Sequence, residues 1–232
     1  MLKGKNAVVT GARRGIGRAV VEAFARNGAN IWACVRTKDL CFEDEMAALS
    51  KKCGVWIETV YFDLADDEQI KAGVRQIQKK KLPVDVLVNN AGMISESTSF
   101  LMTSMTKLKE IFQVNFFAQI MLTQYISRLM IRQKLGVIIN ISSIAALNGE
   151  PGQLEYVCSK AAMIGATKKL SIELGEYNIR VNTVAPGIID TEMGNRVQEQ
   201  LLEKILAKSI MQRKGSPEEI ADTVAFLSSD KA

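Results

Sequence analysis

Six residues near the start of the chain, Lys5-Asn6-Ala7-Val8-Val9-Thr10, read as a buried strand that runs directly into Gly11-Ala12-Arg13-Arg14-Gly15-Ile16-Gly17. From Arg18 to Asn27 the pattern becomes helical. A strand, a glycine-rich turn and a helix in that order leave few architectures open. The helix must return the chain for a parallel neighbour, and the turn becomes an anion site. Its backbone N–H groups and the positive helix end face one point, and absent side chains let a pyrophosphate approach. The spacing is TGxxxGxG rather than the general GxGxxG.

The rest of the chain repeats the alternation. Further strands are read at 30–35, 55–61, 84–88, 136–142 and 180–185, with helical segments near 40–52, 67–81, 106–132 and 154–177. This predicts an α/β fold: a single-domain, Rossmann-like, doubly wound parallel sheet flanked by helices. Ser216-Pro217-Glu218-Glu219 marks a last helix start, with Ser as cap, Pro at the first position and Glu reaching back.

Composition removes several function classes. Among 232 residues there is no histidine, so a Ser-His-Asp triad, His metal ligands and a His base are excluded. Cys34, Cys41, Cys53 and Cys158 have no CxxC spacing and read as reduced thiols, and no carboxylate cluster suggests a metal. No apolar run reaches the ~18 residues of a membrane helix, and no signal peptide is visible, so the expectation is a cytoplasmic protein with no membrane partner. The net charge is +5. Basic runs such as Lys51-Lys52 and Lys79-Lys80-Lys81 have few aromatics between them. They read as solvated helix-end charges rather than a nucleic-acid surface, while attraction to acidic ligands remains open.

The chemistry points to Tyr156 and Lys160, four residues and one helical turn apart. A phenol ionises near pH 10. A fixed ammonium ~4 Å away, at an effective dielectric of ~20, contributes roughly 4 kcal/mol in favour of phenolate, which predicts a lowered Tyr156 pKa. Ser143 stands thirteen residues upstream at the end of the run Val137 to Ile141, where a strand can present its hydroxyl to the same point; Ser142 is the alternative. Alone, such a Tyr-Lys pair also fits a solvated helix face. Asn115 is a polar residue in an apolar helix, or simply a surface Asn.

The segment Thr10 to Gly17, Asp63, Asn89-Asn90-Ala91-Gly92, Asn115, Ser143, Tyr156, Lys160, and Pro186-Gly187 through Thr191 occur in one familiar order and spacing. Over essentially its whole length the chain resembles the short-chain dehydrogenase/reductase family, and within it bacterial 3-oxoacyl-(acyl-carrier-protein) reductases. The resemblance implies one NAD(P)-binding domain over 1–232, with a variable substrate lid at about 190–214. It implies that Tyr156 protonates a carbonyl oxygen, that Ser143 hydrogen-bonds it, that Lys160 keeps the Tyr acidic, and that Asn115 holds a water linking Lys160 to solvent. The implied dinucleotide site comprises Gly11, Arg13, Arg14, Gly15, Ile16, Gly17, Arg36, Asp63, Leu64, Asn90, Ala91, Gly92, Tyr156, Lys160, Pro186, Gly187, Ile189 and Thr191. By residue type alone, Asp63 also fits a helix cap, and Asn90 to Gly92 a strand-terminating turn.

Charge argues for NADP (NADPH) over NAD. NAD-binding folds place a carboxylate after the second strand, where this chain has Val35 and Arg36; Arg36 and Arg14 would suit a 2′-phosphate. The implied function is NADPH-dependent reduction of a 3-oxoacyl thioester in fatty acid synthesis. The alternatives are an NADP-dependent alcohol or sugar dehydrogenase of the same family and a non-catalytic dinucleotide-binding protein. Expected partners are a small-molecule or acyl-carrier-protein-bound carbonyl substrate and further copies of the chain, as a dimer or tetramer. Arg132 and Lys134 match one place where such reductases dock an acidic carrier; Ile172 stands where an Arg is common. Similar proteins continue into a seventh strand and a Gly-Gly segment, which predicts an unpaired sheet edge, a weaker oligomer and slower turnover for a chain ending at Ala232.

Overall fold

The computed structural model describes residues 1–149, 152–196 and 199–232. Six parallel strands form one sheet: β1 (Asn6–Thr10), β2 (Asn30–Val35), β3 (Ile57–Tyr61), β4 (Val86–Asn89), β5 (Gly136–Ile141) and β6 (Ile179–Val184), in the order β3-β2-β1-β4-β5-β6. The helices between them are α1 (Gly15–Arg26), α2 (Leu40–Cys53), α3 (Asp67–Lys79), α4 (Met105–Phe112), α5 (Ala118–Gln133), α6 (Ala145–Asn148) and α7 (Leu154–Gly175). Then come α8 (Glu199–Lys208) and α9 (Pro217–Leu227). This is the doubly wound sheet the alternation predicts. Strand order reverses between β1 and β4, and the crevice at their carboxyl ends is where such sheets bind ligands. Among the described residues no helix is long and apolar enough to cross a membrane.

The period-two pattern of the strands sorts the core onto two faces. Val9, Ile31 and Val35 pack with Val20 and Phe24 of α1 and Val224 of α9. Val8, Trp32 and Val60 pack with Ile70 and Val74 of α3 and Leu122 and Ile126 of α5. Each fully buried large aliphatic contributes roughly 1.5–3 kcal/mol. The start of α9 is as read: Ser216 and Glu219 form a reciprocal capping box with Pro217 in the first turn.

Two boundaries move for a reason outside local sequence. β4 begins at Val86, because Asp85 is committed to the strand start: its carboxylate accepts from the Asn6 N–H at 2.7 Å and its carbonyl from the Val137 N–H at 2.8 Å. The helix expected as one piece over 106–132 is broken by a π turn at Gln113–Phe117, which carries Asn115.

Candidate active site

At the end of β1 the Thr10 hydroxyl accepts from the N–H groups of Asn90 and Ala91, both at 3.0 Å, and the Asn90 side-chain amide donates to the Thr10 carbonyl at 2.9 Å. These bonds lock the glycine loop to the end of β4. Gly15 has φ +56°, in the left-handed region glycine favours, and a side chain at Gly17 would collide with the Gly11 carbonyl and the Asn90 amide. Asp39 caps α2 and Asp66 caps α3, but Arg14 caps α1 with no side-chain bond, and the first turn of α1 holds no acidic residue. That helix start keeps its positive end for an anion. The residues present therefore fit a dinucleotide phosphate.

The arginines are less free than their sequence positions suggest. Arg13 pairs with Asp39, and Arg14 pairs with Glu192, which follows Thr191 in the segment after β6. Arg36 is exposed and has no ion-pair partner among the described residues. Val35 is buried, so no carboxylate closes the end of β2. Asp63 does not cap α3; it accepts from the Ala65 N–H at 2.9 Å at the end of β3, beside buried Leu64.

Ser143, Tyr156, Lys160 and Asn115 converge at the carboxyl ends of β4 and β5. The Ser143 hydroxyl hydrogen-bonds the Tyr156 phenol. Ser142 instead donates to the Lys160 carbonyl at 2.9 Å, which settles the two serines in favour of Ser143 as the one facing the phenol. The Lys160 ammonium is buried, donates to the Ile141 carbonyl at 2.8 Å, and lies 5.9 Å from the Tyr156 ring centroid. A methyl group on Gly92 would stand 3.3 Å from both Lys160 Nζ and Asn115 Oδ1, so these two groups meet over that glycine. The Asn115 amide is fully engaged by protein: it accepts from the Met93 N–H at 2.8 Å and donates to the Met93 carbonyl at 2.9 Å and to Ser159 Oγ at 3.1 Å.

The electrostatics correct the sequence expectation. Burial pushes the Tyr156 phenol above its ordinary pKa, with the Ser143 bond pulling the other way. Burial also lowers Lys160 to about 8. The ammonium is committed to a carbonyl, so desolvation outweighs the attraction that four-residue spacing suggests.

After β6, the Pro186 carbonyl accepts from the Ile144 N–H at 2.9 Å, and the Thr191 hydroxyl accepts from the Gly194 N–H at 3.1 Å. A methyl on Gly15 would lie 3.2 Å from the Thr191 methyl, so this segment rests on the glycine loop. Beside Ser143, a cleft of about 400 Å³ is lined by Ile144, Asn148, Ile188, Ile205, Met211 and Arg213, among others. Gly187 and Ile189 also line it. Arg132 and Lys134 lie at the end of α5, next to the start of β5 and hence at the opposite end of the sheet from Tyr156. Ile172 is exposed. Among the described residues no group of three or more Cys, Asp or Glu is placed to hold a metal.

Sequence reasoning overlooked the supporting shell. Asn89 donates to Thr123 Oγ1 and Asn140 Oδ1, and Asn140 to Thr167 Oγ1, all at 2.8 Å. The signal was present as two asparagines late in two apolar runs, but their pairing is set by the β4–β5 register.

A family model described as enoyl-(acyl carrier protein) reductase matches residues 11–232. The chain is 38% identical over 235 residues to a 3-oxoacyl-(acyl-carrier-protein) reductase of Aquifex aeolicus, covering 100% of this chain and 92% of that protein. It is 40% identical over 237 residues to a 3alpha-hydroxysteroid dehydrogenase of Mediterraneibacter gnavus, with the same coverage of 100% and 92%. A solved structure from Beutenbergia cavernae, described as an NAD(P)-dependent gluconate 5-dehydrogenase with NADP bound at low occupancy, matches with a TM-score of 0.92 and 32% identity, covering 100% of this chain and 92% of that one.

Proposed function

Because the chain belongs to the short-chain dehydrogenase/reductase family, we propose that it is an NADPH-dependent ketoreductase acting on the 3-oxo group of an acyl thioester carried by acyl carrier protein. The observation that carries this reading is the Ser143–Tyr156 hydrogen bond beside buried Lys160 and an uncapped α1 start. When bound, the dinucleotide supplies the hydride. The glycine loop, Asn90 to Gly92 and Pro186 to Thr191 hold it, and Arg36 and Arg14 meet its 2′-phosphate.

Tyr156 gives its proton to the carbonyl oxygen. A phenol held above its ordinary pKa stays protonated at neutral pH, the state a proton donor needs. Ser143 donates to the same oxygen and stabilises charge as it develops. Lys160, at about 8, is mostly ammonium at pH 7 and restores the proton after turnover. Asn115 holds Met93 and, through it, the wall above Gly92. Residues 190–214 form the substrate lid over the cleft beside Ser143. The same reading makes the protein a cytoplasmic homo-oligomer, dimer or tetramer.

A second reading, an NADP-dependent alcohol, sugar or steroid dehydrogenase, draws support from the placement of Arg132 and Lys134 far from Tyr156 within one chain and from exposed Ile172. The test is NADPH oxidation with acetoacetyl and longer 3-oxoacyl thioesters beside a panel of keto-sugars, 3-oxosteroids and simple ketones. Thioesters should give the highest kcat/KM. A steroid or keto-sugar preference would move the assignment to the second reading, and no turnover with any carbonyl would sink both.

A further inference from the structure

Among the described residues, two acidic or basic side chains are classed as buried, Lys160 and Glu155, and they bracket Tyr156 on one helix. Lys160 has a place in the proposed reaction; Glu155 has none. It is 1% exposed and sits in the first turn of α7, immediately before the phenol. One carboxylate oxygen accepts from Ser95 Oγ, and the other is buried with no hydrogen-bond partner among the described residues. Burying a carboxylate that needs only one acceptor is costly, and an apolar residue would fill the space without that cost. The helix start offsets part of it, since negative charge is favoured there.

What the carboxylate holds is the segment after β4. That segment has no regular structure between Asn90 and Ser99, yet it forms the wall above Gly92. It is fastened at three places: Met93 to the Asn115 amide, Ser95 to Glu155, and the Thr98 N–H to the Gly152 carbonyl at 2.8 Å. The middle fastening joins it to the residue next to Tyr156.

We infer that Glu155 is a positioning residue. Through Ser95 it sets the distance between the first turn of α7, which carries the phenol, and the wall against which the carbonyl substrate is held. This rests on the ketoreductase reading above. Misplacement of a reacting group by about 1 Å costs up to ~100-fold in rate, so one such fastening can govern kcat without touching substrate.

The test uses Glu155→Ala, Glu155→Gln, Ser95→Ala and the Glu155→Ala/Ser95→Ala double variant. Wild-type turnover is established first, so that an inactive wild type counts against the function and not against Glu155. We expect kcat to fall about 10-fold in Glu155→Ala, with the NADPH dissociation constant unchanged. Glu155→Gln, which still accepts from Ser95, should recover most of the loss. Ser95→Ala should match Glu155→Ala, and the double variant should be no worse than either. Hydrogen exchange, which needs no turnover, should quicken at the Met93 and Thr98 amides in Glu155→Ala while β4 and β5 stay protected. Wild-type kcat in Glu155→Ala, additive losses in the double variant, or unchanged exchange at Met93 and Thr98 would each overturn the inference. So would a loss in Glu155→Ala that Gln fails to recover and that comes with weaker NADPH binding.

Discussion

Between β1 and β3 the strands meet their surroundings through Val9, Ile31, Ala33 and Val60, whereas the carboxyl ends of β4 and β5 bury amides and hydroxyls. In the second region Thr123, Asn89, Asn140 and Thr167 form a chain of hydrogen bonds across two strands and two helices, and Thr183 adds a bond to the Asn140 carbonyl at 2.9 Å. Apolar packing rewards burial and is non-directional. A buried hydrogen-bond chain holds only one register, because each misplaced member leaves an unpaired polar group. The region that needs a fixed ammonium and phenol is the one built this way.

The sharpest way to break the comparison is at its centre. Tyr156→Phe should lower kcat by a factor of about 1,000 or more while NADPH still binds, because the proton donor is lost and the ring is kept. Retention of more than about a tenth of wild-type kcat would remove Tyr156 from its role.

Lys160 is next. Its ordinary pKa is 10.5 and its folded value about 8, so between those values the unfolded chain binds a proton the folded chain lacks. Stability therefore rises with pH across that window, and the whole cost, on the order of 3 kcal/mol, is present below pH 8. Lys160→Met should melt higher than wild type at pH 7, with the gap narrowing by about pH 9.5. A gap that does not change with pH would show that the buried ammonium costs nothing.

The two regions can then be set against each other directly. Asn140→Ala should cost about 2 kcal/mol of stability and also reduce kcat, since it unpairs Asn89 and Thr167. Ile31→Val should cost about 1 kcal/mol and leave kcat alone. Denaturant titration and steady-state kinetics on both variants would show whether register and burial separate in this way; equal kinetic effects would end the distinction.

The smallest expected effect lies at the rim. Arg36→Ala should weaken NADPH about 10-fold with little change for NADH. Arg14→Ala should do less, because Arg14 leaves Glu192 to reach a phosphate. Equal losses for the two cofactors in either variant would remove the 2′-phosphate from the argument.

Much of the apolar region was legible in the sequence, because strand and helix periods are local. The bounds of β2 and the capping box at Ser216 needed only neighbouring residues. The glycine loop and the Tyr156–Lys160 turn were legible for the same reason. The pairings Asn89–Asn140, Ser95–Glu155, Arg13–Asp39 and Arg14–Glu192 were not, since each joins residues that only the finished sheet brings together. The direction of the Tyr156 shift was misread because spacing along a helix says nothing of depth.

The π turn at Gln113–Phe117 has a consequence for how this chain tolerates changes in length. Such a turn is one residue more than an α-helix needs over the same rise. Removing a residue there would let α4 run smoothly into α5, but everything beyond would swing by about 100° around the axis. Gln119, which donates to the Ala91 carbonyl at 2.8 Å, and Thr123, which receives Asn89, would both leave their partners. The surplus residue therefore acts as a phase setting, and the helix can be shortened by whole turns far more safely than by one.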